Sequence, residues 1–348
     1  MKRFTLFTFI ILMILIVSCS SIDRTPISDA EQLFKEGKPV EAFETVEAFH
    51  REHPGDAEAL YYLGRYLHFI QYDTGKRVFD KAISDSIINY LDKSIAITDT
   101  IGNAFYYLGV EYGMQGHYAF FEGESLKAKE AFAMGHKKGG YPLWLLEFAR
   151  NVFLSCDSNA ILFTGGDAEA NALWYLQTVE GLRRDVTVMP AGLLSYPPFV
   201  KFVKRGIEGF FRPVPITMSD SDIDSFTHRY FDNDSAVIEV SSEMKNKYSL
   251  DEGYTMKWAL KPDYVFQGKE IITPGTGIII HMLKNNKWER PAYFTIASIP
   301  NMRASLDEYL YLEGLCYRIM PVEAGDETMD VEFTASLLMD ISHIRYYP

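Results

Sequence analysis

The spacing of apolar residues changes twice along this chain of 348 residues. An almost unbroken apolar run covers Phe4 to Val17, and helical spacing, with apolar residues about three or four positions apart, then extends from Ser28 to about Phe153. From Ala160 onward, short continuous apolar runs typical of buried strands alternate with helical segments. The pattern predicts four parts: a signal peptide over 1–19, a linker over 20–27, a helical repeat domain over 28–154 and an α/β domain over 155–348.

The first half is predicted to form helix pairs. Two similar runs, LYYLG at 60–64 and FYYLG at 105–109, place Gly64 and Gly109 at matching positions 45 residues apart. The pattern resembles tetratricopeptide repeats, although their period is about 34 residues, so an unrelated helical bundle is the alternative. Such repeats stack into a concave surface that binds another protein; the alternative role is a rigid spacer or a support for the second domain.

The second half is predicted to form an α/β sandwich with a mostly parallel sheet. A strand over 160–164, the turn Gly165-Gly166-Asp167, a helix ending at Gly181 and a strand over 186–189 form a βαβ unit, which makes the two strands parallel. Further predicted elements are strands at 292–296 and 317–322, and helices over 276–283, over 305–311 and from about residue 330. The segment 212–275 is predicted to be irregular.

The N-terminus predicts export and a lipid anchor. Lys2 and Arg3 precede the apolar run, and Cys19 follows a small residue at its end, which is the layout of a secretory signal peptide. The run is shorter than the roughly 20 residues that span a bilayer. The cysteine resembles the lipobox of bacterial lipoproteins, which implies acylation of Cys19, with palmitate among the chains, and tethering to membrane lipid. The serines after Cys19 imply the outer membrane, with the protein facing the periplasm.

Charge and cysteine content limit the possible partners and bonds. The net charge of -13 argues against binding to nucleic acid. Besides Cys19 the chain has only Cys156 and Cys316. Both flank apolar segments, so we expect two buried thiols, although an oxidising compartment permits one disulfide between them.

Two blocks of the second half carry a family resemblance. One covers LFTGGD at 162–167 with LWYLQTVEGLRRDV at 173–186; the other covers NNKWERP at 285–291 with LDEYLYLEGL at 306–315. They resemble the soluble region of a large family of polytopic bacterial membrane proteins related to eukaryotic O-mannosyltransferases. The resemblance implies glycosyl transfer in the family's membrane-embedded part. This chain has no such helices after Cys19, so that activity does not carry over.

The turn after the first predicted strand is the leading candidate ligand site. Asp167 follows Gly165 and Gly166 at the carboxyl end of that strand, where α/β folds bind ligands. Its carboxylate can hold a sugar hydroxyl or a metal; the alternative is that Asp167 only caps the next helix. The glycines do not form the dinucleotide fingerprint, so no nucleotide cofactor is expected.

Two further residues complete the candidate site. Trp174 can stack on a sugar ring, or it can belong to the apolar face of its helix. Arg290 can bind a carboxylate or phosphate, or it can form an internal ion pair with Glu313 or Asp185.

The leading functional hypothesis is a non-catalytic, membrane-tethered periplasmic lipoprotein that binds another envelope protein or a glycan and assists membrane-bound glycosyl transfer. The alternative is an α/β hydrolase or transferase acting on an envelope glycan, with Asp167 as the central acid and Glu169, Asp185 or Arg290 assisting. No metal or other cofactor is expected in either case.

Overall fold

The computed structural model describes residues 23–73, 79–325 and 328–339. The predicted signal peptide and Cys19 lie outside these ranges. The described residues pack as two compact units, one ending at Ala104 and one beginning at Phe105. None of the described helices combines the length and apolarity that a membrane span requires.

The first unit consists of helices that pack in sequence, each against the next. A buried stripe of Ala42, Val46 and Phe49 runs along one face of its second helix, whereas Val40 at the start of that helix is 46% exposed. The helices are α1 (Thr25–Lys35), α2 (Pro39–Glu52), α3 (Ala57–Asp73) and α4 (Lys81–Ile97). Helix pairing in this segment is therefore present, and its assignment to tetratricopeptide repeats stays a prediction.

The second unit begins with three more helices: α5 (Gly102–Phe121), whose first turn contains the division between the units, α6 (Ser125–Lys137) and α7 (Leu143–Leu154). Gly109 of α5 approaches the backbone of Gly140 so closely that an added Cβ would lie 2.5 Å from the Gly140 carbonyl oxygen. The side chain of Tyr141 fixes this contact by donating a hydrogen bond to the Gly109 carbonyl at 3.0 Å. Helices α6 and α7 both contact the helix that follows the first strand.

A five-stranded mixed sheet forms the centre of the second unit. Its strands are β1 (Ile161–Thr164), β2 (Thr187–Pro190), β8 (Ala292–Thr295), β9 (Leu310–Glu313) and β10 (Cys316–Ile319). The order is β2-β1-β8-β10-β9, with β2, β1 and β8 parallel and β10 antiparallel to both neighbours. Helix α8 (Asp167–Thr178) connects β1 to β2 as predicted, and the predicted α + α/β fold class is confirmed.

The parallel strands are buried on both faces, as their continuous apolar runs predicted. Every residue of β1, β2 and β8 is buried, and the rings of Phe163 and Phe294 stack across β1 and β8 with centroids 4.9 Å apart.

The segment 212–275, predicted to be irregular, contains two small antiparallel sheets instead. The strands are β3 (Arg229–Tyr230), β4 (Ser235–Glu239), β5 (Thr255–Ala259), β6 (Tyr264–Phe266) and β7 (Lys269–Ile272). β4 pairs with β5, and β7 lies between β3 and β6. β4 alternates exposed and buried residues, a period of two that the apolar Val237 at an exposed position obscured in the sequence.

Short helices complete the second unit: α9 (Pro197–Arg205), α10 (Asp220–Ser225), α11 (Ser242–Lys247), α12 (Pro274–Asn286) and α13 (Val331–Met339). The acidic stretch at 219–224 forms a capping box, in which Ser219 and Asp222 bond to each other's backbone amide at the start of α10.

The predicted helix over 305–311 is wrong. Ala304 and Ser305 adopt positive φ angles of 51° and 58°, which an α-helix excludes. The Ser305 hydroxyl accepts the Lys261 amide at 2.8 Å instead of capping a helix. After one 3₁₀ turn at Asp307–Tyr309 the chain enters β9 and pairs with β10.

Substitution of Gly64 and of Gly109 should change the free energy of unfolding by different amounts. We expect Gly109→Ala to lower the free energy of unfolding by about 2–3 kcal/mol, because the new Cβ meets fixed backbone at Gly140. Gly64→Ala is the matched control: its Cβ would meet a side chain, Leu91, at 2.9 Å, and the nearest backbone atom, the Ile87 carbonyl oxygen, lies at an ordinary 3.5 Å. Alanine also favours the helix. The cost of this substitution should stay within about 1 kcal/mol. Urea unfolding of the unit that carries each change measures both values, and equal costs would contradict the backbone contact.

Candidate functional site

The loop between β1 and α8 lies at the carboxyl edge of the parallel strands. Gly165 has no room for a side chain, because a Cβ there would collide with the carbonyl group of Ala297, which follows β8. Gly166 is exposed and has no atom within 4 Å of where its Cβ would be. The first glycine is therefore required by the close approach of two chain segments, and the second is not.

Asp167 is the first residue of α8, and Gly166 is the N-cap, which contributes no side-chain hydrogen bond. The N-cap position thus belongs to Gly166, Asp167 lies in the first turn, and the choice between a ligand site and a helix-stabilising residue stays open. The side chain is exposed at the carboxyl edge of the sheet, where a negative charge also complements the helix dipole. Burial and then the Asp167 charge raise the pKa of Tyr106, a 42% exposed residue of α5, to about 12.

Glu169, one turn into α8, supports this loop from beneath. Its Oε2 accepts the backbone N–H of Gly165 at 2.8 Å and the Thr295 hydroxyl at 2.9 Å, so one carboxylate joins the ends of β1 and β8 to α8. The residue is 5% exposed, and burial raises its pKa to about 6. Its Oε1 and the nearby Thr164 hydroxyl are buried without a partner among the described residues.

The sequence assigned Glu169 only an assisting role. The signal that could have identified it is its spacing: a glutamate at N3 of a helix commonly folds back to bond an amide before the helix, as in a capping box. Here the amide belongs to Gly165, one residue before the N-cap.

A second helix that begins at this edge is already capped. Thr273 is the N-cap of α12, and the buried Asp263 accepts the Thr273 amide at 2.6 Å and the Thr276 hydroxyl at 2.9 Å. Asn301, which follows β8, donates to the Asp263 carbonyl at 2.9 Å. The first turn of α12 is therefore occupied by protein groups, whereas that of α8 carries an exposed Asp167.

Trp174 lies in the core, with 3% of its surface exposed. Its ring meets the His117 ring edge-to-face with centroids 4.0 Å apart, and Phe132 and Phe199 lie around it. Burial lowers the pKa of His117 to about 3, so this imidazole is neutral at physiological pH. The geometry matches the alternative in which Trp174 belongs to the apolar face of α8.

Arg290 lies at the opposite, amino edge of the parallel strands. Its guanidinium donates to the carbonyls of Asn159 at 2.8 Å, Ala160 at 3.0 Å and Pro213 at 3.0 Å, and to the Thr187 hydroxyl at 2.7 Å. Burial, and secondarily the charge of Arg212, lower its pKa to about 10.

The ion pairs expected of Arg290 are made by other arginines. Asp185 bonds to Arg183 at 2.9 Å and also accepts the Asn159 amide at 2.9 Å. Glu313 lies 3.4 Å from Arg318. Arg290 therefore joins the start of β8 to the carbonyls before β1 and to the Thr187 hydroxyl of β2. Asp185 binds the Asn159 amide at the same edge.

The structure thus brings together Gly165, Gly166, Asp167 and Glu169, and separates them from Trp174 and Arg290. Ligand binding by the predicted residues stays a prediction. Among the described residues, no group of three or more His, Cys, Asp or Glu side chains is placed to hold a metal ion.

One family model matches the region that carries this site. The family is TMEM260-associated domain 2, and the matches cover residues 145–268 and 255–336, which together exceed half of the chain. The chain belongs to this family. The matched region starts in α7 and ends in α13, so the whole five-stranded sheet lies within the TMEM260-associated domain.

A curated relative points the same way. The mouse protein O-mannosyl-transferase TMEM260 is 36% identical over 67 residues, which are 19% of this chain and 10% of that protein. The match thus spans about a tenth of the length of the relative. No solved structure matches the chain.

Glu169 predicts a pH dependence for the stability of the TMEM260-associated domain. Its folded pKa of about 6 lies above the ordinary 4.5, so the folded state binds the proton more tightly than the unfolded state. The free energy of unfolding should therefore fall by about 2 kcal/mol from this group as pH rises from 4.5 through 6.

Glu169→Gln cannot ionise, so this fall should disappear, while the exposed Glu289→Gln should keep the wild-type profile. Denaturant unfolding at a series of pH values measures the effect. An unchanged profile in Glu169→Gln would show that another group causes it.

Proposed function

We propose that this protein is a non-catalytic accessory factor for membrane-bound glycosyl transfer, which binds a glycan at the carboxyl edge of its sheet. Membership in the TMEM260-associated domain family and the similarity to a protein O-mannosyl-transferase support the link to glycosyl transfer. The matched region of this chain is an α/β unit rather than a set of membrane helices, which favours an accessory role.

The exposed Asp167 carboxylate is the observation that carries the glycan assignment. A carboxylate on a loop held in one geometry can accept two hydroxyl groups of a sugar, and charge-assisted bonds of this kind are the stronger ones. The loop is held by Glu169 and by the contact of Gly165 with Ala297. Tyr106, whose pKa responds to the Asp167 charge, offers a partly exposed ring on which a sugar can pack.

The other charged groups near the sheet support the fold. Arg290 is engaged by backbone carbonyls, Asp263 binds the N-cap residue Thr273 of α12, and Glu169 is buried. These assignments favour binding over catalysis, since the acids and bases that the hydrolase alternative needs beside Asp167 are committed elsewhere.

The proposal includes the tether and the helices. Acylation of Cys19 would hold the protein at the outer membrane, facing the periplasm, and the stacked helices of the first unit would bind another envelope protein. Tethering places the glycan-binding edge close to a membrane-bound enzyme and so raises its effective concentration there.

Calorimetric titration of the full-length protein with mannose-containing oligosaccharides tests the glycan site. We expect Asp167→Asn to weaken binding about tenfold or more, because one charge-assisted hydrogen bond contributes about 1.5–3 kcal/mol. Asp220→Asn is the matched control, since Asp220 is also an exposed first residue of a helix, α10. It should leave the dissociation constant unchanged.

Two results would count against the proposal: no oligosaccharide binds the wild-type protein, or Asp167→Asn binds as tightly as wild type. Release of a smaller sugar during the titration, lost in Asp167→Asn, would favour the hydrolase alternative instead.

A further inference from the structure

The two cysteines beyond Cys19 meet in the second unit although 160 positions separate them. Cys156 follows the C-terminus of α7, and Cys316 begins β10. Their sulfur atoms are 3.6 Å apart, and the residues are 7% and 0% exposed. Both thiols also face one acceptor, the Val152 carbonyl, at 3.4 and 3.6 Å.

The backbone beside the two thiols is fixed by neighbouring bonds. The Ser155 hydroxyl accepts the Leu315 amide at 2.8 Å, so the residues directly before each cysteine are joined. Gly314 adopts a φ of 62° and packs so tightly on the Ser155 side chain that a Cβ would collide with it. Its amide is held by the Thr334 hydroxyl at 3.0 Å. These contacts leave the thiols little freedom to separate.

We propose that Cys156 and Cys316 form a disulfide bond in the mature protein. A disulfide requires about 2.05 Å between the sulfur atoms, so each sulfur would move by only about 0.8 Å, which small side-chain rotations provide. The bond would connect the end of α7 to β10, the antiparallel strand between β8 and β9. The proposal rests on the predicted export, because disulfides persist in oxidising compartments.

The oxidant is the disulfide of a thiol oxidoreductase or of oxidised glutathione in that compartment. One cysteine thiolate attacks a sulfur of the oxidant, which releases one thiolate and leaves a mixed disulfide. The second cysteine thiolate then attacks the first cysteine's sulfur and displaces the remaining half of the oxidant. The two cysteines lose two electrons and two protons, and the oxidant leaves as two thiols.

Burial decides when the bond can form. Burial raises the pKa of Cys316, so little of its thiolate exists in the folded protein, and an oxidant cannot approach this residue, which has no exposed surface. Oxidation should therefore occur during folding, before β10 closes over α7. The reduced, folded chain should oxidise slowly, and a moderate concentration of urea should accelerate the reaction.

The test is a thiol map of the full-length protein isolated from the envelope of cells that produce it, alkylated after unfolding with and without prior reduction. We expect Cys156 and Cys316 to be alkylated only after reduction, with an intact mass about 2 Da lower before it. The melting temperature should fall on the order of 10 °C on reduction, because a loop this long loses much entropy when cross-linked.

Cys156→Ala and Cys316→Ala are matched controls. Each should abolish the difference between reducing and non-reducing conditions, whatever it costs in packing. Direct alkylation of both thiols without reduction would overturn the proposal, as would failure of the purified chain to form the bond when it refolds with oxidised glutathione. The same analysis shows whether Cys19 is acylated. An unmodified N-terminus would therefore reveal a failure of the predicted export separately from a failure of the disulfide.

Discussion

The carboxylate of Glu169, buried beneath the loop between β1 and α8, is the interaction on which the candidate site depends. Burying this carboxylate costs solvation energy, and its pKa is raised for that reason. The hydrogen bonds from Gly165 and Thr295 offset only part of the cost. In return, one side chain fixes the ends of two parallel strands and the start of a helix. A loop held from below in this way presents Gly166 and Asp167 to solvent in a defined conformation.

The amino edge of the same strands uses the opposite charge. Arg290 donates hydrogen bonds to the carbonyls that precede β1 and to the hydroxyl of Thr187 in β2. A planar guanidinium with several fixed donors suits this task, and lysine could not replace it. Both charges serve the sheet, whereas Asp167 is exposed at the carboxyl edge, which is why the proposed glycan site is placed there.

Much of the fold followed from local patterns. The continuous apolar run of β1, the double glycine and the helix before β2 were sufficient to predict a parallel βαβ unit. What local patterns could not give were contacts made across the sequence: Arg290 bonds to residues about 130 positions away, and Trp174 meets His117 of another helix. The strands of 212–275 were not predicted because packing sets their conformation. The turn at Ser305 was not predicted because it depends on positive φ angles.

Native-state hydrogen exchange at residues 161–168 tests this account most directly. The amide of Gly165, bound to a buried carboxylate, should exchange about as slowly as the amides of β1, while the amide of the exposed Gly166 should exchange many times faster. In Glu169→Gln the protection of Gly165 should decrease selectively. If Gly165 and Gly166 exchange at the same rate in the wild-type protein, Glu169 does not hold the loop and the proposed ligand surface loses its support.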